Sequence, residues 1–271
     1  MSGLRKVKSA LRTAIATHRR SAVVRTVHSV SSFVESAWRN EGSDFATNGE
    51  RFVLQRLRAA DFRLAIDAGT NLGDWVCGAL DVWPRCHAHA FEVAPATYEL
   101  VKSRVSSYAH HDRVSLHGVG LSDEAGVQTM YYFPDCPQLT CDRPRHGNYE
   151  SVQFQANLIT LDEFCQDHGI ETVDFLKIDV EGAEYRVLKG FSQHIVSDKV
   201  SCIQFEYGAF SIQTRFLLKD YYELLSNQFW IGKIFPNYVD FVDYDWTAED
   251  FRFSNYLCVS KHRSDLRDLL K

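Results

Sequence analysis

No apolar run in this sequence approaches the roughly 20 residues a membrane-crossing helix needs, and the chain does not open with the apolar stretch of a secretory signal. These absences predict a soluble, cytoplasmic protein. Its seven cysteines contain no Cys-x-x-Cys pair. Cys77, Cys202 and Cys258 sit inside apolar segments, as small core residues do. Reduced structural thiols are therefore expected, without a disulfide framework. Cys136 and Cys141, with His146 after them, lack zinc-finger spacing, so no metal site is expected there. No repeat or low-complexity tract interrupts the chain.

Acidic residues are missing from one end only. Residues 1–34 carry Arg5, Lys6, Lys8, Arg12, Arg19, Arg20 and Arg25 and no acid, which leaves 23 Lys and Arg against 35 Asp and Glu in the remainder. An acidic body argues against nucleic acid as the main partner. Leu4, Val7, Leu11 and Ala14 fall near helical spacing with the cations mostly between them, so residues 1–46 read as a basic helical extension. Peripheral contact with a membrane surface through residues 1–34 is one reading of it. An organelle transit peptide and a solvated helix are the others.

From residue 47 to 271 strand-like apolar runs alternate with helical patterns. Helix-like NGERFVLQRL precedes strand-like FRLAIDAG, and NLGDWVCGALDVW precedes HAHAFEVAP. TVDFLKIDV, AEYRVLKGF and VSCIQFEYG continue the series, and NYLCVSK closes it. Such alternation predicts an α/β domain with a mostly parallel sheet covered on both faces, its ligands at the carboxyl ends of the strands. Residues 127–160, rich in aromatic, proline and polar residues, break the alternation and are expected to form an acceptor-side insert.

The first site signal is AIDAGTNLGDW, in which a strand ends at Asp67 and Gly69 and Gly73 flank the turn into a helix. Glycine lets a ligand approach the backbone closely. The next strand ends in Glu92, 25 residues after Asp67, where an acid can take both hydroxyls of a ribose. Together these predict a nucleoside cofactor. The turn lacks the Gly-x-Gly-x-x-Gly of a pyrophosphate site, and Asp67 suits a sulfonium amino acid with its ammonium group better than a pyrophosphate. A nicotinamide-dependent oxidoreductase is the alternative enzyme, disfavoured by the missing Gly-x-Gly-x-x-Gly. A non-catalytic binding protein on the same fold is the other alternative.

The second signal is FLKIDVEGAEYRVLKG, which packs Asp179, Glu181 and Glu184 into one strand-to-helix turn. Glu184, in the first helical turn, is explained by the helix dipole. A cap needs one side chain, so Asp179 and Glu181 are read as functional, with Glu206 joining them from the next strand. Clustered carboxylates raise one another's pKa and give a base suited to neutral pH. A divalent metal held by the cluster is the less favoured option, because no oxygen-ligand spacing is present. His117 and His146 are reserve bases. Tyr131, Tyr132, Phe133 and Tyr149, with Tyr207, Phe210, Trp230 and Tyr238, are expected to give a stacking surface for the acceptor.

AIDAGTNLGDW, FEVAP, VGLSDEAG, ITLDEF and DFLKIDVEGAEYRVLKG together resemble the FkbM-type S-adenosylmethionine-dependent methyltransferases. The likeness runs from about Asn48 to Val259, with QFEYG and NYLCVSK similar to the branch found with glycan and natural-product biosynthesis; residues 1–45 fall outside it. It implies a Rossmann-like class I methyltransferase fold with seven strands, the last hairpin strand antiparallel. It also implies S-adenosylmethionine as cofactor and S-adenosylhomocysteine as product. Asp67, Gly69, Asn71 and Gly73 would contact the methionine part, Glu92 the ribose, and Leu121 and Ser122 the adenine. Asp179 would stand at the donor as well as at the acceptor. The expected reaction is O-methylation of a sugar hydroxyl on a glycan, glycolipid or glycosylated metabolite.

Overall fold

The computed structural model describes residues 2–145 and 149–271, so His146 lies outside the described residues. Two units separate, Met1–Gly42 and Ser43–Lys271. The first holds helices Ser2–Thr17 and Ala22–Arg39. Ser21 caps the second helix by accepting from the Val24 N–H, and Asn40 ends it in the left-handed conformation. Among the described residues no helix is long and apolar enough to cross a membrane.

The second unit contains strands β1 (Leu64–Ala68), β2 (His87–Phe91), β3 (Val114–His117), β4 (Gly120–Leu121), β5 (Gly126–Tyr132) and β6 (Val152–Ile159). They are followed by β7 (Val173–Ile178), β8 (Val200–Tyr207), β9 (Phe229–Phe235), β10 (Tyr238–Phe241) and β11 (Ser254–Ser260). The main sheet runs β10-β9-β11-β8-β7-β1-β2-β3. From β8 to β3 neighbours are parallel, and β11 is antiparallel to both β8 and β9. This is the expected α/β class I methyltransferase arrangement with one correction: there are eight strands, not seven. The added strand β10 pairs antiparallel with β9 across a tight turn at residues 236–237, and its Val239 is buried.

The described residues of the 127–160 insert include two strands. Just ahead of it the chain passes from β3 in the main sheet to β4 in a second sheet of order β4-β6-β5. In that sheet β5 and β6 form a seven-register antiparallel hairpin from residues 126–132 and 152–158.

Alternation along the strands sorts the sheet into two faces. Ile66, Leu176, Ile178, Ile203 and Phe205 join the core beneath helices Leu161–Asp167, Glu184–Lys189 and Leu218–Leu225. Ala65, Phe175, Cys202, Leu257 and Val259 join the core beneath helices Glu50–Arg56, Asp74–Val82 and Ser264–Leu270. On this second face the residues change character toward the carboxyl ends. Past Ala65, Phe175 and Cys202 comes a row in which Asp67 stands beside Lys177, and Lys177 beside Gln204. One step further stand Asp179, Glu206 and Asn255, the last two in register. A hydrophobic sheet face thus ends in a polar platform at the carboxyl edge.

Candidate active site

A cavity of about 300 Å³ opens at that edge. Gly69, Asn71, Glu92, Leu121, Ser122, Asp179, Glu181 and Glu206, all expected from the sequence, line it together. Asp67 and Gly73 do not reach it. Asp67 is fully buried beneath the turn, where its Oδ2 accepts from the Thr70 hydroxyl at 2.7 Å and its Oδ1 has no partner; burial raises its pKa to about 6. Gly73 adopts φ +82° facing Val101.

The glycine turn is held from below. Gly69 and Thr70 both donate backbone N–H groups to the Phe91 carbonyl, at 3.0 and 2.9 Å, and Asp179 N–H donates to the Ala68 carbonyl at 2.9 Å. A Cβ on Gly69 would stand 1.8 Å from the Asp179 carbonyl oxygen, and φ is +82°. The close approach that requires glycine here is therefore to the neighbouring strand's backbone. Asn71 follows at φ 46°, and its N–H donates to Glu92 Oε2 at 3.1 Å while Ala94 N–H donates to Oε1 at 2.9 Å. Glu92 is 7% exposed, and burial pushes its carboxyl up to about 7. The Ser122 N–H is taken by the Ile159 carbonyl at 3.0 Å, so it is not free to reach an adenine.

The KIDVEGAE turn divides its acids between two tasks. Glu184 Oε1 accepts from the N–H groups of Val180 and Gly182, at 3.1 and 3.0 Å, and so closes the loop. That bond lets Glu181 and Gly182 take consecutive positive φ values of 55° and 106°, which aims the Glu181 side chain at the cavity. Glu181 pairs with Arg145 at 2.6 Å, and the Arg145 guanidinium lies 4.4 Å from the centre of the Phe210 ring. Burial, then the Asp179 carboxylate, raises Glu181 to about 8 against that ion pair. Glu206 is buried among Asp179, Glu181 and Glu184; its burial and then their charges push it well above the carboxylate range.

Two residues that shape this site were not singled out in the sequence, Glu50 in the cavity wall and Lys177 behind it. Lys177 donates to Asp179 at 2.9 Å from an almost wholly buried position. Burial opposes its charge, but Asp179, then Asp67 and Glu50, raise its pKa. Glu50 caps the platform from above: it accepts from Gln204 at 2.5 Å and from the Asn48 amide at 2.8 Å. Gly49 between them has φ +102°, and a Cβ there would stand 2.3 Å from the Phe235 carbonyl oxygen, so the Asn-Gly-Glu turn is pressed onto β9. The signal for Lys177 was alternation, since it lies two residues before Asp179 on the same face. The signal for Glu50 was the Asn-Gly-Glu turn ahead of a helix.

Two expectations fail. None of the eight aromatics assigned to a stacking surface lines the cavity, whose only aromatic walls among the described residues are Phe91 and Phe253. Phe133 is buried, Trp230 stacks on Arg267, Tyr238 stacks on Phe235, and Tyr207 hydrogen-bonds Glu249. The insert lines the space instead with the polar Gln128, Gln138, Thr140 and Asp142 among the apolar Met130 and Pro137, and Arg186 joins them. His117 is not placed to act as a base. It stacks on Phe91 and hydrogen-bonds His89 at 3.0 Å, away from the cavity lining, and burial with the neighbouring His168 and His87 lowers it to about 4. Among the described residues no group of three or more His, Cys, Asp and Glu is arranged to hold a metal ion.

Residues 67–229 match the family described as Methyltransferase FkbM domain, which spans both the glycine turn and the KIDVEGAE turn. Methyltransferase sdnD of Sordaria araneosa is 29% identical over 155 residues, covering 47% of this chain and 60% of that protein. The 31-O-demethyl-FK506 methyltransferase FkbM of Streptomyces tacrolimicus is 29% identical over 161 residues, covering 49% of this chain and 60% of that protein. The chain thus spans about 60% of the length of each of these two relatives. A solved structure of a methyltransferase FkbM from Methylobacillus flagellatus superposes with a TM-score of 0.47 at 15% identity, over 73% of this chain and 44% of that one. With more than half of its length inside the domain match, the chain belongs to the FkbM methyltransferase family.

Proposed function

We propose that residues 43–271 form an S-adenosylmethionine-dependent O-methyltransferase acting on a sugar hydroxyl of a glycan, glycolipid or glycosylated natural product. One observation supports this above the others: Glu206, buried and raised in pKa, shares a single cavity with Glu92 and the glycine turn. The residues suit the donor. Glu92 already accepts two backbone N–H groups at the turn's rim and offers carboxylate lone pairs to a ribose diol. The cavity wall carries the carboxyl groups of Glu92, Asp179, Glu181 and Glu206, which fits a sulfonium better than a pyrophosphate. S-adenosylmethionine bound there supplies an electrophilic methyl group.

The chain's own residues then align and deprotonate. Asp179, fixed by Lys177 below and by its own N–H to Ala68, stands between the donor turn and Glu206. The acceptor oxygen takes the methyl carbon as its O–H proton passes to the Glu206 carboxylate. The bound donor would supply the methyl group, the electron pair of its carbon–sulfur bond leaving on sulfur. Alignment can lower the barrier by roughly 7–11 kcal/mol, and the base adds about 10²–10⁴-fold. Gln128, Gln138, Thr140 and Asp142 provide donors and acceptors for a polyhydroxylated acceptor. The test is transfer of labelled methyl from S-adenosylmethionine to a panel of glycosides, sterols, phenols and amines. Label in the glycosides alone supports the reading, and label confined to nitrogen or to an aromatic hydroxyl ends it.

A further inference from the structure

The first unit carries an apolar stripe that its own two helices leave exposed. Along helix Ala22–Arg39, Val23, Val27, Val30, Val34 and Trp38 recur at i, i+4, i+7, i+11 and i+15, one continuous face. Val23 is 74% exposed and Trp38 82%, with the three between them also more than half exposed. Leu4, Val7, Leu11 and Ile15 repeat the pattern on helix Ser2–Thr17, and all four are exposed. No described residue from Gly3 to Gly42 is buried. Most helical stability in proteins comes from packing an amphipathic face rather than from propensity. Something outside the unit therefore covers this one.

Charge selects the occupant. Seven Lys and Arg and no acid lie in residues 1–34, in a chain whose net charge is -5. On the first helix Lys8 and Arg12 flank the stripe one position past Val7 and Leu11, where a helix lying flat at a bilayer surface places cations among phosphate groups. On the second, Arg25, His28, Ser32 and Arg39 occupy the face opposite Val30 and Val34. The long stems of Lys and Arg let the charge sit at the headgroups while the stripe enters the acyl boundary. We propose that helices Ser2–Thr17 and Ala22–Arg39 bind in the plane of an anionic lipid surface through this stripe. A second copy of the chain would have to bring the two sets of cations together, and so is disfavoured.

The test is flotation of the full chain with phosphatidylcholine vesicles with and without phosphatidylserine, alongside a Val30→Asp/Val34→Asp variant and an Arg19→Glu/Arg20→Glu/Arg25→Glu variant. All of these substitutions lie outside the folded core, so an unchanged melting temperature certifies each protein. The expected result is binding to phosphatidylserine vesicles that weakens with added salt and falls by about tenfold or more in both variants. Wild-type protein that ignores phosphatidylserine vesicles at low salt overturns the proposal. So does equal binding to neutral vesicles, or undiminished binding by the Val30→Asp/Val34→Asp variant. Sedimentation adds the remaining outcome: a dimer that this variant dissociates would make the stripe an interface between copies and overturn the lipid assignment.

Discussion

Changing Glu206 to Gln keeps the shape of the side chain and removes both its charge and its basicity. In the proposed site the change removes the base and leaves alignment by Asp179, Asn71 and Glu92 in place. A general base contributes about 10²–10⁴-fold, or roughly 3–5 kcal/mol of barrier, so kcat should fall by that range and stay above the uncatalysed rate. Because burial and three neighbouring carboxylates raise the Glu206 pKa, wild-type kcat should climb with pH above the ordinary carboxylate range as the base ionises, and the variant should lose that limb. Stability should move the other way. A carboxyl raised by folding destabilises the protein once pH exceeds its unfolded pKa, and fully so above its folded pKa. The neutral amide should therefore raise the melting temperature at about pH 8 and leave it nearly unchanged at about pH 4. Initial rates against pH, with thermal melts at both ends, read all three effects. A Glu206→Gln enzyme with wild-type kcat and an unaltered pH profile would refute the reasoning and place the base elsewhere.

The same linkage extends to the protein without donor. Asp67 at about 6, Glu92 at about 7 and Glu184 at about 7 are all raised by burial. Their acid forms favour the fold below the ordinary carboxylate range, and that contribution is lost as pH rises through about 6–7, so the melting temperature should be higher at about pH 5 than at about pH 8. A melting temperature flat or rising over that interval would contradict the burial of these groups. Gly69→Ala forces a Cβ to 1.8 Å from the Asp179 carbonyl oxygen at φ +82°. The hydrogen bond from Asp179 to Ala68 holds that carbonyl in place. The loss should exceed the roughly 1–3 kcal/mol of backbone strain alone, read by denaturant unfolding, and a variant as stable as wild type would contradict the packing of β1 against β7.

The parallel part of the fold was legible because each strand from β1 to β8 that enters the core is a short apolar run next to a helical pattern. The cavity rim was legible for a related reason: acids at Glu92 and Asp179 follow core strands, where a buried sheet has no other use for charge, and the same signal misplaced Asp67, which stays buried beneath the turn. β10 went unread because four residues of alternating exposure carry little signal. The β5–β6 hairpin went unread because both strands are largely half-exposed or exposed, so their side chains follow no core pattern. Glu50 lies 154 residues from the Gln204 it bonds, and only the folded sheet brings them together. His117 and the insert aromatics misled for one reason: a packed ring and a ligand-facing ring have the same sequence signature.

The account rests on the cavity at the carboxyl edge being a methyl-donor site, and calorimetric titration with S-adenosylhomocysteine tests that most directly. Wild-type protein should bind it in the presence of chelator, with affinity rising as pH passes about 7 and Glu92 ionises. Glu92→Ala, which removes two hydrogen bonds to a charged acceptor at about 1.5–3 kcal/mol each, should bind about 10²-fold more weakly or worse. Binding by Glu92→Ala as tight as wild type, or no binding by the wild-type protein, would contradict the account.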